Sequence, residues 1–404
     1  MHLLRTEPGG FVDDADGIAR VEQSPADGII LSAADTELAS LSGAAQRCVA
    51  AGEPVSLRLA NLMHLRQHAS VDLYLDEVVQ HARWILVSLL GGEGYWPYGV
   101  EQLRLLAAAR DQVLIFVPGD DHDDQALRRL STASSEVSER VWRYLRAGGA
   151  GNALNLLRFA ASGFALDAAI DSPRALPPVA VYHPLDDGHA LARWQAQWQA
   201  DRPVAAVLFY RAHLLSGNTQ VFDALCTALE ASGLNPLPIA VASLKDPVCR
   251  ATVNERLVDA DAAVILNTTA FAIGTAGDAW SNPFDRDVPV LQVVLGGGNR
   301  AAWLDSTLGL QPRDLAMHIA LPEVDGRVIT RAVSFKGLAR RCEVTECDLV
   351  HYEADAERCA WVAELAANTA ALARKAKAQK RVALVLANYP SREGRLGNGV
   401  GLDT

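Results

Sequence analysis

The chain has 404 residues, 50% of them hydrophobic and 21% charged, a composition that fits a globular protein of two or three domains. With 48 acidic against 37 basic side chains, the formal net charge is -11. That balance excludes a globally basic face for nucleic acid and disfavours anionic membranes.

The six cysteines (Cys48, Cys226, Cys249, Cys342, Cys347 and Cys359) form no Cys-x-x-Cys. The first residues lack the apolar stretch of a signal peptide, and no run approaches the ~18 apolar residues of a membrane span. A reduced, soluble, cytoplasmic protein is expected.

Taken in chain order, strand signals alternate with helix signals. Residues 28–31 are a short apolar run, followed by a helical stretch from 33. Residues 55–59 alternate like a strand. Residues 70–79 open on a capping Ser70 and carry apolar spacing near 3.6. Residues 84–90 and 113–117 are buried-strand candidates flanking a helix over 101–109. From about 124 to 164 the strand signal gives way to helical spacing at Leu127, Leu130, Val137, Val141 and Leu145. Pro173, Pro177 and Pro178 then punctuate a connection.

A second alternation begins near Val179. Strands are expected at 204–210, 237–241, 262–266 and 290–295, with a helix over 219–231. Asp325-Gly326 reads as a hairpin turn between strands at 317–321 and 328–335. A long helix follows over 353–380, and a strand at 382–386 runs into a glycine-rich loop. The expected fold is α/β: two successive, mostly parallel-sheet domains, with a helical segment between them. The expected units are 1–123, 124–178 and 179–380, with 381–404 opening a third module that breaks off.

In open parallel sheets, ligands sit beyond the carboxyl ends of the strands. This rule selects three loops. The first holds Tyr210, Arg211, His213 and Asn218, the second Asn267 and Thr268. The third holds Gly297, Asn299 and Arg300 in a Gly-Gly-Gly turn whose N–H groups could meet a carboxylate. It matches neither a dinucleotide fingerprint nor a P-loop. Taken one at a time, such loops are more often plain turns; three converging on one rim would grip a polar-edged ligand.

His64 and His68 are spaced i, i+4 but lack a third metal ligand. Asp120 to Asp124 reads as a loop and helix start. Tyr95-Trp-Pro-Tyr98 reads as either an aromatic platform for a ligand or a packed corner, and the packed corner is favoured. No nucleophile elbow or metal-hydrolase motif is present, so no catalytic residue and no metal ligand is assigned.

Several stretches, including Leu90-Gly-Gly-Glu-Gly-Tyr-Trp-Pro-Tyr-Gly99, Leu208-Phe-Tyr-Arg-Ala-His-Leu-Leu-Ser-Gly-Asn-Thr219 and Leu315-Ala-Met-His318, resemble the amino-terminal part of large subunits of the CobN/magnesium-chelatase family. Others are Asn61 to Tyr74, Leu234 to Val241, Leu266 to Phe271 and Ala387-Asn-Tyr-Pro390. The resemblance implies a tetrapyrrole-binding portion of an ATP-dependent cobaltochelatase. Co2+ would be inserted into hydrogenobyrinic acid a,c-diamide in cobalamin (vitamin B12) biosynthesis. ATP would be used by AAA+ motor partners (CobS and CobT), and this stretch would bind no cofactor and be inactive alone. Asn388 and Tyr389 would add to a site completed by later residues. Two alternatives stay open: a non-catalytic docking module for the motor, or a magnesium-chelatase-like subunit acting on a porphyrin. An unrelated two-lobed binding protein is the reading from fold alone.

Overall fold

The computed structural model describes residues 3–5, 18–120, 122–185, 188–274, 283–383 and 385. Asn388, Tyr389 and the glycine-rich loop of the sequence analysis lie outside the described residues.

A short parallel pair, β1 (Leu3–Arg5) and β2 (Ile18–Arg20), precedes the first sheet. That sheet contains β3 (Gly28–Ser32), β4 (Leu57–Asn61), β5 (Trp84–Leu89) and β6 (Val113–Pro118). All four are parallel, in the order β4-β3-β5-β6. Gly28 is required where β3 passes under Trp84: a Cβ there would sit 2.1 Å from the indole ring.

Each face of the sheet is covered, as parallel strands buried on both sides demand. One face packs helices His68–Glu77 and Pro97–Arg110 through Val71, Tyr74, Val100 and Leu103. The other packs helices Asp35–Ala50, Ser135–Ala147 and Gly149–Ala161 through Leu41, Val141 and Phe159. The helical segment expected after 124 is therefore part of the cover of the first sheet.

The second sheet has seven strands: β7 (Val179–Val181), β8 (Val204–Tyr210), β9 (Asn235–Val241), β10 (Ala262–Asn267), β11 (Val290–Leu295), β12 (Val328–Cys342) and β13 (Cys347–Ala354). Their order is β13-β12-β11-β10-β8-β9-β7. Only the outermost strands, β7 and β13, pair antiparallel. The apolar runs of β8, β9 and β10 occupy the centre, because both of their faces are buried. The mixed α/β, mostly parallel architecture expected from the sequence is present.

Two local expectations fail. Residues 317–321 are not a strand: Ala316–Ala320 is a π-helical turn that continues the helix starting at Pro312 and runs into Leu321–Glu323. Asp325-Gly326 is not a hairpin turn either. Asp325 is buried and pairs with Arg327 at 2.6 Å, a use that turn statistics cannot register. The hairpin joins β12 to β13 through residues 343–346, and the long helix begins only at Ala356, capped by Asp355.

This hairpin reaches across to the first sheet. Cys342, Cys347 and Leu349 join the core beneath helix Asp35–Ala50. The Ser42 and Thr345 hydroxyls share a buried hydrogen bond of 3.0 Å. Glu346 accepts from the Ser24 N–H at 2.7 Å and hydroxyl at 2.6 Å, and pairs with Arg58 at 2.9 Å. The tip is therefore a clamp between lobes. Glu346→Ala is expected to cost about 1–2 kcal/mol, because the partly buried Arg58 guanidinium and two exposed Ser24 donors lose their acceptor. A urea titration would show a lower midpoint at unchanged slope; an unchanged midpoint would contradict the clamp.

Candidate functional site

Each sheet has a point where the chain reverses its direction of strand addition. In the first sheet β4 adds on one side of β3 and β5 on the other. In the second, β9 adds on one side of β8 and β10 on the other. Ligand crevices form at the carboxyl ends of strands at such switch points. Here the two crevices open into one interlobe cavity of ≈ 1050 Å³, at the upper end of the usual range for small-molecule sites.

The first lobe contributes Ser32 to Glu37 after β3, Ser88 and Leu90 around the end of β5, and the Tyr95–Tyr98 corner. The second contributes Tyr210, Arg211 and His213 after β8 and Phe271 after β10. Lys336 and Tyr352, from β12 and β13, also line the cavity.

Three of the residues selected from sequence thus reach the cavity. The Tyr210 hydroxyl donates to the Ala270 carbonyl at 3.1 Å, and burial pushes its pKa up to about 12. Arg211 donates to the Leu176 and Pro177 carbonyls, tying β8 to the segment before β7. His213 is 7% exposed, set between the rings of Phe222 and Tyr352 at 5.3 Å from each.

The other described residues of the three loops serve the scaffold and are not among the cavity's lining residues. Asn218 is buried and accepts the Tyr352 N–H, so it sets a lining ring without touching the space. The Asn267 amide donates to Thr269 O and to Gln292 Oε1, and the Thr268 hydroxyl donates to Leu208 O. With Arg327 on Gln292 at 2.9 Å, these buried groups hold the 268–274 turn. Asn299 caps the helix Arg300–Asp305, and Arg300 pairs with Asp355 at 3.2 Å. The Gly297 N–H does meet a carboxylate, but an internal one, Asp314 at 2.8 Å.

The turn after β10 ends in a strained residue. Phe271 has φ 65, a left-handed backbone that a bulky side chain adopts only when its surroundings impose it. Its N–H is held by Met317 O at 2.8 Å, and the ring is 38% exposed at the cavity.

Sequence reasoning favoured packing over lining for the Tyr95–Tyr98 corner of the opposite wall, because nothing in one strand announces which distant lobe will face it. Tyr98 stacks on His68 with ring centroids 3.9 Å apart and donates to Asp72 at 2.6 Å. Tyr95 stays 45% exposed, whereas Trp96 packs inward and donates to Leu65 O. The aromatic corner is therefore divided between packing and lining. His64 sits in a one-turn 3-10 helix and His68 opens the next helix. Among the described residues no group of three or more His, Cys, Asp or Glu could hold a metal ion.

Cations outnumber acids along the cavity: Arg66, Arg146, Arg211, Arg313 and Lys336 against Asp35 and Glu37. Both acids are already matched. Arg146 pairs with Glu37 at 2.9 Å. Lys336 reaches across the lobes to Asp35 at 2.7 Å, and Asn61 donates to the other Asp35 oxygen. Burial alone would lower the Lys336 pKa; Tyr352 and Asp35 outweigh it and raise the pKa above the usual lysine value. The ammonium is therefore charged, and the cavity carries a positive surplus inside an acidic chain.

Neither His213 ring nitrogen has a hydrogen-bond partner among the described residues, and Nδ1 is buried. Burial, reinforced by the Lys336 charge, brings its pKa down to about 4, so the imidazole is neutral. An unfolded chain takes that proton near pH 6.5. The stability present above about pH 6.5 should therefore be lost as pH falls toward 4. Between about pH 7.5 and about pH 5, the wild type should lose on the order of 2 kcal/mol more than His213→Leu. Identical acid limbs in urea titrations would contradict the neutral buried imidazole.

Two parallel-sheet lobes meeting at their switch points over an aromatic, cation-rich cavity define an α/β protein with one large space between its lobes. A family model described as CobN/Magnesium Chelatase matches residues 142–404, and the chain belongs to that family. It is 56% identical over 405 residues to the aerobic cobaltochelatase subunit CobN of Pseudomonas aeruginosa, spanning 100% of this chain and 32% of that protein. It is 39% identical over 417 residues to the aerobic cobaltochelatase subunit CobN of Sinorhizobium sp, again 100% of this chain and 32% of that protein. The solved catalytic subunit of cobaltochelatase from Mycobacterium tuberculosis superposes with a TM-score of 0.56 at 31% identity, covering 93% of this chain and 29% of that one. The chain thus spans about a third of the length of the curated relatives it matches. No described helix is long and apolar enough to cross a membrane.

Proposed function

We propose that this chain is the amino-terminal portion of the large subunit of a cobaltochelatase, and that its interlobe cavity holds part of a tetrapyrrole during metal insertion. The observation that carries this reading is the cavity itself. Two switch points converge on one space whose wall is aromatic and whose charge is positive in a chain of net charge -11. A tetrapyrrole is a large apolar disc with a carboxylate-bearing edge. Aromatic rings suit its faces, and guanidinium and ammonium groups suit its edge.

In this reading the substrate is hydrogenobyrinic acid a,c-diamide and the inserted metal is Co2+. ATP is used by AAA+ motor subunits rather than by this portion, and the residues that take pyrrolic protons belong to the rest of the subunit. Residues 1–123 and 179–380 are the two α/β units, and 124–178 is the helical segment between them, whose helices cover the first sheet. The cobalt assignment over magnesium is supported by the two relatives above, both named cobaltochelatase subunits.

Titration with hydrogenobyrinic acid a,c-diamide should quench tryptophan fluorescence, because Trp96, though packed inward, is part of the cavity wall. The full-length subunit should bind more tightly than the portion described above. A full-length subunit that binds no corrin precursor would overturn the reading. Retention of the motor subunits by this portion, without corrin binding, would favour a docking module instead.

A further inference from the structure

Four of the five cavity cations are engaged by the protein. Arg146 is paired with Glu37 and Lys336 with Asp35. Arg211 is spent on backbone carbonyls, and Arg66 is likewise not free. Arg313 differs. It is exposed and makes no ion pair and no hydrogen bond to an oxygen among the described residues. Its one polar contact is Nη1 to Met63 Sδ at 4.0 Å, on the opposite lobe. A guanidinium offers five donors in a planar fork; a thioether is a weak acceptor and leaves them available.

The placement of Arg313 is nevertheless fixed. The neighbouring Asp314 is 6% exposed and accepts the Gly297 N–H at 2.8 Å. That position must be glycine, since a Cβ on Gly297 would stand 2.7 Å from the Asp314 carboxylate. Two residues further on from Asp314, the Ala316–Ala320 turn holds Phe271 through Met317 O. The short helix Pro312–Leu315 is therefore pinned on both sides to the ends of β10 and β11. The charge of Arg313 acts on both Lys336 and Tyr352, so the three share one wall. A free guanidinium on a rigid peg, beside an ammonium already neutralised, is prepared for an anion that arrives with the ligand.

We infer that Arg313 is the specificity residue of the cavity, receiving an ionised carboxylate on the edge of the bound ligand in a two-pronged, charge-assisted contact. The inference rests on the tetrapyrrole reading of the cavity and deepens it: the ligand must present at least one free carboxylate, not only amides, on the side facing Pro312–Leu315. Met63 then serves as a resting contact that the carboxylate displaces.

The test compares hydrogenobyrinic acid a,c-diamide with the same macrocycle fully amidated, binding each to the wild type and to Arg313→Gln in the full-length subunit at low ionic strength. Arg313 is exposed, so the substitution leaves the core intact. Arg313→Gln should weaken the carboxylate form about ten-fold or more and the amidated form less than about two-fold. Arg313→Lys should recover part of the loss, as a point charge without the fork. Equal weakening of both ligands, or no change in either, would overturn the role of Arg313 while leaving the cavity assignment standing. A wild type that binds neither ligand would overturn the cavity assignment and the role of Arg313 together.

Discussion

The β12–β13 hairpin belongs to one sheet by its hydrogen bonds and to the other lobe by its packing. Strand pairing fixes its root on β11. Its tip is buried against helix Asp35–Ala50 and the β4 edge, where Leu59 N–H donates to Thr345 O and the Gln23 amide donates to Glu346 O. A two-lobed protein joined by a single linker has relative lobe motion as its default. Here a non-covalent path adds to the linker, through Cys342, Cys347 and Leu349 buried in the first lobe's core. The facing of the two switch points, and hence the cavity, depends on that clamp.

The same hairpin supplies the cavity's buried electrostatics. Lys336 lies on β12 between the root and the tip, and its partner Asp35 opens the helix against which the tip packs. An acid at a helix amino terminus is already favoured by the dipole; the Lys336 ammonium adds a contact across the lobes. Removing either partner would leave the other charge half-buried and unpaired, which is more costly than losing the pair. The pairing thus consumes acid as much as base. What remains for a ligand is the surplus, and the surplus is cationic.

Much of this was legible in the sequence, for physical reasons that can be named. Residues 204–210 and 262–266 are apolar on both faces, which only a central parallel strand needs, and they form β8 and β10. The rule that ligands gather at strand carboxyl ends then found Tyr210, Arg211 and His213. The same rule overreached at Asn267 and Thr268, because it locates a loop and not the direction of a side chain; both are buried in the scaffold. It also passed over Arg313, which lies on the short helix Pro312–Leu315, just before the residues 317–321 that the sequence pattern read as strand. The true hairpin turn escaped notice because residues 343–346 contain no glycine, proline or asparagine, and the left-handed position is taken by Glu346. Asp35 was invisible as a site residue, since its role exists only after two lobes are brought together; Tyr95 and Tyr98 were legible as either platform or packed corner, and the choice between them needs the facing lobe.

The central claim is that one interlobe space, set by the clamp and faced by both sheets, receives the proposed macrocycle. Hydrogen–deuterium exchange of the full-length subunit with and without hydrogenobyrinic acid a,c-diamide reads this directly. Protection should appear together in residues 33–37, 95–98, 211–215 and 312–317, on both lobes at once. Protection confined to one lobe, or found only in segments remote from these four, would contradict the account.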